Sequence, residues 1–182
     1  MKIILASNSP RRRELLSEAG VEFTVIPSDF NEPENDGLSP EKYVEFLAYG
    51  KAKSVFEKCG GTVIGADTVV VLNGEILGKP KGVADAKLML NKLSAKTHEV
   101  ITGYAVISEN SKVCSHEKTF VTFNALSPEL IDGYVASGSP LDKAGAYGIQ
   151  DGVPLVDKII GDYDNVVGLP TSKILKILTE LK

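Results

Sequence analysis

The period of apolar and polar positions changes along the chain, and the changes mark out strands and helices in turn. Residues 2–6 are a short apolar run rich in Ile and Leu. The polar turn Ser7-Asn8-Ser9-Pro10 follows, and then a charged segment with Leu15, Leu16 and Ala19 at helical spacing. This succession predicts strand, turn and helix, with Ser9 as N-cap, Pro10 at the first helical position and Gly20 as the left-handed residue past the end. A second helix is predicted from Ser39-Pro40-Glu41 to about Gly60, with Tyr43, Val44, Phe46 and Leu47 turned inward. β-Branched runs over 62–66 and 68–72 flank Asp67, and Asn73-Gly74 predicts a hairpin turn. Further on, the pattern predicts a short amphipathic helix over 84–93 and two long strands over 98–108 and 113–123, paired antiparallel. A helix opened by Ser127-Pro128-Glu129 and a terminal helix over 171–181 complete it, and 142–168 is a stretch rich in Gly, Asp and Tyr. With no repeat and no linker, the expectation is one folded unit over 1–182, an α/β or α+β fold on a mixed sheet.

Composition narrows the function classes. An apolar fraction of 43% and a charged fraction of 24% are those of an ordinary globular protein. No apolar run has the length of a membrane span, and the N-terminal run is too short for a signal-peptide core. A cytoplasmic protein without membrane partners is expected. Cys59 and Cys114 form no Cys-x-x-Cys pair, so neither a disulfide framework nor a zinc site is indicated. The net charge of −4 argues against a protein that wraps nucleic acid, which needs a broad basic face. A small phosphate-bearing ligand would need only a local gathering of cations.

Such a gathering occurs at Ser7-Asn8-Ser9-Pro10-Arg11-Arg12-Arg13, which sets three cations at the positive end of a predicted helix dipole. Each costs roughly 0.3 to 1 kcal/mol there unless an anion is bound. A triphosphate would reverse the sign, held by first-turn N–H groups, the Ser7 and Ser9 hydroxyls and forked guanidinium groups; a solvated basic helix start is the plain alternative. In Gly65-Ala66-Asp67-Thr68-Val69-Val70 one carboxylate sits in an apolar strand. A buried carboxylate needs a partner, which may be read as a metal ion, a catalytic water or a structural cation. Asp29 and Glu32 are further acids on the polar loop after 23–26, and Mg²⁺ is content with one or two carboxylates plus substrate phosphates. Two lysines stand among small residues, in Gly78-Lys79-Pro80 and in Asp142-Lys143-Ala144-Gly145-Ala146-Tyr147-Gly148-Ile149-Gln150, where Gly and Ala suggest close backbone approach to a ligand. The spacing Gly74 to Gly78 before Lys79-Pro80 excludes a P-loop, and no Gly-x-Gly-x-x-Gly is present. His98 and His116 lie in predicted strands with no nucleophile motif beside them, so a Ser/His/Asp hydrolase is not indicated.

In order along the chain, Ser-x-Ser-Pro-Arg-Arg, Gly-Ala-Asp-Thr-Val, Gly-Lys-Pro, Asp-Lys-Ala-Gly-Ala-Tyr-Gly-Ile-Gln and Val-Val-Gly-Leu-Pro resemble the Maf family of nucleotide pyrophosphatases. The likeness covers nearly the whole chain. It implies an α/β architecture on a long, curved mixed sheet flanked by helices, with two lobes and a central cleft, similar to the inosine triphosphatases, and a cytoplasmic homodimer. By position it implies Asp67 as the catalytic acid–base residue and Ser7, Arg11, Arg12, Lys51, Lys79 and Lys143 as the phosphate-facing set. Glu32 is implied as a metal-linked acid beside Asp67, with Asp29 as the alternative, and the metal as Mg²⁺ or Mn²⁺. Arg11, Thr68 and Gln150 resemble the dTTP/UTP branch, whereas the branch acting on 7-methyl-GTP tends toward Trp, Gln and Glu at those places. The implied activity is hydrolysis of dTTP and UTP to the monophosphate and pyrophosphate, a nucleotide-pool cleansing role. A non-catalytic nucleotide-binding regulator of cell division and a purine cleanser acting on ITP or XTP are the competing readings.

Overall fold

The computed structural model describes residues 2–181. Strand β1 (Ile3–Leu5) leads into helix α1 (Pro10–Glu18), where Ser9 caps the N-terminus and Gly20 takes a φ of 74° after the last turn. Strand β2 (Thr24–Val25) follows, and helix α2 (Pro40–Cys59) is capped by Ser39 and stopped at Gly60. Strand β3 (Thr62–Leu72) is continuous through Asp67. It turns at Asn73 and Gly74, whose φ values of 51° and 83° are those of a type I′ hairpin, into β4 (Glu75–Leu77). Helix α3 (Val83–Leu93), strands β5 (Thr97–Ile107) and β6 (Lys112–Phe123) and helix α4 (Pro128–Ala136), capped by Ser127, come next. Between α4 and the end, residues 142–168 are more regular than their composition indicates: two short 3₁₀ turns, strand β7 (Val156–Ile160) and the five-residue helix α5 (Tyr163–Val167) precede α6 (Thr171–Glu180).

The strands form one seven-stranded sheet in the order β2-β1-β3-β5-β6-β7, with β4 on β3. It is mixed, since β1 runs parallel to β2 and β3, whereas β3 with β4 and β6 with β7 are antiparallel. β5 and β6 are neighbours across a tight turn in which Ser108 N–H donates to Ser111 O at 2.8 Å. Helices flank the sheet, which makes the fold α/β. Among the described residues no helix is long and apolar enough to cross a membrane.

The chain divides into two compact units. The first takes residues up to Thr68, Thr102–Glu117 and those from Gly168 on. Its core joins Ile4, Ala6 and Val63 to Ala48, Ala52 and Val55 of α2 and to Ala105 and Ile107 of β5. The second takes Val69–Ile101 and Lys118–Val167, and Leu90 and Leu93 of α3 pack there with Ile131, Tyr134 and Val135 of α4 over Val100, Val121 and Phe123. Within the first unit α2 lies very close to the strands because Gly103 has no side chain: a Cβ there would run into the Val44 carbonyl and stand 2.7 Å from Glu45 N. Val44 and Leu47 are buried as the helical period predicts, but Phe46 is 44% exposed and stands edge-on to Phe30, with ring centroids 5.9 Å apart. The apolar face of α2 is narrower than its sequence indicates, since small residues, not aromatic ones, make the contact with the sheet.

His98 is part of the second core. It is 2% exposed, sits edge-on to Phe123 and Tyr147, and shares a 2.7 Å hydrogen bond between Nε2 and Tyr147 Oη, while Nδ1 has no hydrogen-bond partner. His116, in the first unit, is half-buried and pairs with Glu45 at 2.7 Å. Both histidines therefore have structural settings, in agreement with the absence of a nucleophile motif.

Two predictions follow from this packing. Gly103→Ala should lower stability by about 3 kcal/mol through backbone overpacking, whereas Gly133→Ala, inside α4 with open space around it, should raise stability by roughly 0.5 to 1 kcal/mol. Denaturant midpoints of the two variants, shifted in opposite directions, are the check. For His98, burial holds the pKa down from 6.5 to about 4. Between those pH values the unfolded chain takes up a proton that the folded chain refuses, so stability falls as pH drops through that window and is unaffected above it. The full loss is about 3 kcal/mol, and it should be missing from the His98→Asn stability curve and appear in the difference between wild type and variant measured from pH 7.5 to pH 4.

Candidate active site

Side chains alternate along a strand, so Gly65 and Asp67 share one face of β3. A Cβ on Gly65 would strike the Ala48 carbonyl and stand 2.8 Å from Ala52 N. The bare glycine lets the backbone of α2 settle on the strand at the level of Ala48 and Ala52, and Lys51, between them in sequence, then reaches Asp67. Its Nζ is 2.6 Å from Asp67 Oδ1 and 2.9 Å from Glu32 Oε1. The Lys51 and Asp67 side chains are only 13% and 15% exposed and Glu32 is 48% exposed, so the ammonium links a shielded carboxylate to a solvated one.

Glu32 is delivered by a segment without regular structure, and α2 again supplies the track. Phe46, Gly50 and Ser54, four residues apart, lie on one side of the helix. Ser54 Oγ is 2.8 Å from Ser28 Oγ, Phe30 N–H donates to Ser28 Oγ at 3.0 Å, and the Phe30 ring lies over Gly50 so closely that a Cβ there would stand 2.6 Å from ring carbons. Glu32 follows two residues later. Tyr43 donates to Pro33 O at 3.0 Å and holds the outgoing chain. Asp29, the other candidate acid, is ion-paired with Lys58 on the surface and is not part of the Lys51 cluster.

At the start of α1 the hydroxyls act first on the helix itself. Ser7 Oγ accepts from Ser9 N–H at 3.2 Å and Ser9 Oγ from Arg12 N–H at 3.4 Å. Arg13 is exposed and Arg11 half-buried. Arg12 turns inward: Nε donates to Gly168 O at 2.8 Å, Nη2 to Thr68 Oγ1 at 3.0 Å and Nη1 to Ser7 Oγ at 3.4 Å. Thr68 Oγ1 is also 2.9 Å from Thr102 Oγ1. Burial lowers the Arg12 pKa, the Asp67 carboxylate opposes that shift, Arg11 adds to it and Glu32 opposes it again. Three of its five N–H groups thus donate to neutral acceptors, and the guanidinium charge is balanced at a distance by the two carboxylates that flank Lys51.

The first unit therefore brings together Ser7, Arg12, Glu32, Lys51, Asp67 and Thr68, with Arg11 at its helix. Lys79, Lys143 and Gln150 belong to the second. Lys79 is exposed on the turn after β4, and Gly78 O accepts from Gly145 N–H at 3.0 Å, so both lysine motifs share a backbone contact. The close approach made possible by Gly145 is to the protein: at φ 68°, its Cβ would stand 2.8 Å from Val70. Lys143 is buried, its ammonium donating to Ser139 O, to Ser139 Oγ at 3.1 Å and to Asp142 Oδ1 at 3.0 Å, with Asp151 Oδ2 at 3.7 Å. Asp151 also accepts from Tyr134 Oη at 2.5 Å and Ser139 Oγ at 2.8 Å, and Gly148 N–H donates to Tyr134 Oη at 2.9 Å. Burial, and then the bond to Asp151, push the Tyr134 pKa far up. This network fixes the turn that carries the exposed Gln150.

Thr102, Gly168, Tyr134 and Asp151 escape sequence reading. Thr102 stands in a β-branched strand where a hydroxyl is unremarked, and Gly168 contributes a carbonyl, which no side-chain pattern announces. The Val-Val-Gly-Leu-Pro motif was the one available signal for it.

The model of the family described as Maf-like protein matches residues 2–181. A dTTP/UTP pyrophosphatase of Citrifermentans bemidjiense is 50% identical over 97% of this chain and 93% of its own. Proteins of the same name from Geotalea uraniireducens and Bacillus cereus are each 51% identical, over 98% of this chain and 94% and 95% of their own. The fold, taken alone, is similar to that of a HAM1 protein from Coxiella burnetii, with a TM-score of 0.53 over 99% of each chain at 17% identity. With its ordered motifs, its Asp67–Lys51–Glu32 cluster and a family match over nearly its full length, the chain belongs to the Maf-like protein family.

Proposed function

We propose that this chain hydrolyses dTTP and UTP at the α–β phosphoanhydride, releasing the nucleoside monophosphate and pyrophosphate. The observation that carries the reading is the shielded Asp67 carboxylate, held at 2.6 Å by Lys51 in the unit that also holds the half-buried Arg12. The names borne by relatives at about half identity support the choice of dTTP and UTP.

Asp67 Oδ2 accepts the proton of a water whose oxygen attacks the α-phosphorus; the bridging P–O bond breaks and its electron pair leaves with pyrophosphate. Lys51 and Arg12 supply fixed positive charge to the phosphate oxygens as that charge develops, and being held beforehand they need no reorganisation at the moment of reaction. Arg11 extends the phosphate-facing set, and Ser7 offers a hydroxyl.

A divalent ion fits the residues present. Carboxylate oxygens of Glu32 and Asp67 already converge on one cationic centre, the Lys51 ammonium, within 2.9 Å. Among the described residues no group of three or more His, Cys, Asp or Glu is placed to enclose a metal, and Mg²⁺ or Mn²⁺ with one or two carboxylates completes its shell with phosphate and water. Glu32 and Asp67 would hold it, and when bound it supplies charge neutralisation to the triphosphate.

Product analysis tests the bond cleaved: dTTP or UTP with Mg²⁺ should give monophosphate and pyrophosphate, and diphosphate with orthophosphate would place the cut elsewhere. Asp67→Asn should lose on the order of 10² to 10⁴ in kcat with the fold retained by circular dichroism; a variant that keeps half of the wild-type kcat removes Asp67 from the acid–base role. Gln150 is assigned to base reading because its amide matches the N–H between two carbonyls shared by thymine and uracil. Gln150→Glu should then reduce kcat/KM for dTTP and UTP roughly ten- to a hundredfold relative to CTP, whereas an equal loss for all three nucleotides contradicts that assignment.

A further inference from the structure

The guanidinium of Arg12 is set by three separate segments: Ser7 after β1, Thr68 on β3 and Gly168 before α6. An arginine that clamps a phosphate must present its plane in one orientation, because bidentate bonds need both terminal nitrogens aimed at the oxygens. Three of the five N–H groups are spent on this orientation and two remain. The weakest point of the frame is Thr68, whose hydroxyl can donate as well as accept and can rotate. Arg12 Nη2 donates into Thr68 Oγ1, so the Thr68 proton must point away from the guanidinium, and the oxygen that lies in reach is Thr102 Oγ1 at 2.9 Å. Thr102 is fully buried, on the strand next to β3, and β-branching restricts its χ1.

We propose that Thr102 is a positioning residue for nucleotide hydrolysis. It accepts the Thr68 hydroxyl proton, which turns the Thr68 lone pairs toward Arg12 and fixes the guanidinium plane for the triphosphate. On this proposal Thr68 acts on the triphosphate through Arg12, alike for every base. Gly168 completes the frame: at φ 132°, a Cβ there would stand 3.5 Å from Arg12 Nε and 3.6 Å from Thr68 Oγ1, in the space the two bonds share.

The inference rests on the proposed pyrophosphatase reading, and a double-mutant cycle separates the two. kcat/KM is measured for dTTP, UTP and CTP with wild type, Thr102→Val, Thr102→Ser, Arg12→Lys and the double variant Thr102→Val/Arg12→Lys. Loss of one oriented hydrogen bond predicts about a three- to tenfold fall for Thr102→Val, equal for the three bases, with most activity restored by Ser. Arg12→Lys keeps the charge but removes the fork, so Thr102→Val should have less than about a twofold effect in that background. A full, additive effect there, a change in the dTTP to CTP ratio, or a Thr102→Val enzyme equal to wild type overturns the proposal. If the wild type releases no pyrophosphate from any nucleotide, the functional reading fails instead. The same cycle is then read in affinity for inorganic tripolyphosphate, with the same criterion of non-additivity.

Discussion

The Lys51 ammonium between Asp67 and Glu32 is the interaction on which the rest of the site depends, and it rests in turn on an absence of atoms. A carboxylate in a strand interior is unfavourable without a cation, and the cation must come from a helix whose axis ordinarily stands about 10 Å from the sheet. At Gly65 and Gly103 the strands have no side chains, so α2 descends until its backbone touches them, and a lysine near the level of Ala48 and Ala52 reaches Asp67 at 2.6 Å. Any side chain at either glycine would lift the helix and lengthen the pair, so packing and charge cannot be adjusted separately. Gly50 repeats the device on the far side of α2, where the Phe30 ring enters and Glu32 is set two residues beyond.

Charge is arranged with equal economy around Arg12. Removing a guanidinium from water is unfavourable, and direct pairing with a carboxylate would satisfy it but would also consume the charge a phosphate needs. Here three neutral oxygens take N–H groups, which offsets the loss of hydration without neutralising the cation, and Asp67 acts only through space. The site as a whole is held together by orientation, not by contact between opposite charges, except at Lys51.

Much of this was legible in the sequence, and the legible part has a common character. Ser9, Ser39 and Ser127 before prolines, Gly20 after a helix and Asn73-Gly74 between strands act on their nearest neighbours, and all of them stand where local rules place them. Asp67 was conspicuous because polarity in an apolar run is visible locally. Its partner was not, since Lys51 lies sixteen residues away on a helix that also carries Lys42, Lys53 and Lys58, and only the depth of α2 selects it. The Gly and Ala residues around Lys143 read as ligand approach, but Gly145 meets Val70, so smallness there marked contact between elements of the protein. Strand β7 and Phe46 were misjudged for a related reason: an edge strand need not alternate cleanly, and an aromatic on a helix may cover a loop instead of a core.

The two units also differ in what their polar groups are for. In the second, Lys143, Ser139, Asp151 and Tyr134 satisfy one another so fully that the turn before Gln150 is held by charged and neutral bonds alike, and the amide of Gln150 is left exposed. In the first, Arg12 keeps two N–H groups outside its frame and Glu32 keeps half its surface in solvent. A saturated network gives rigidity and selects among ligands by shape and hydrogen-bond pattern. An unsaturated one gives attraction for phosphate.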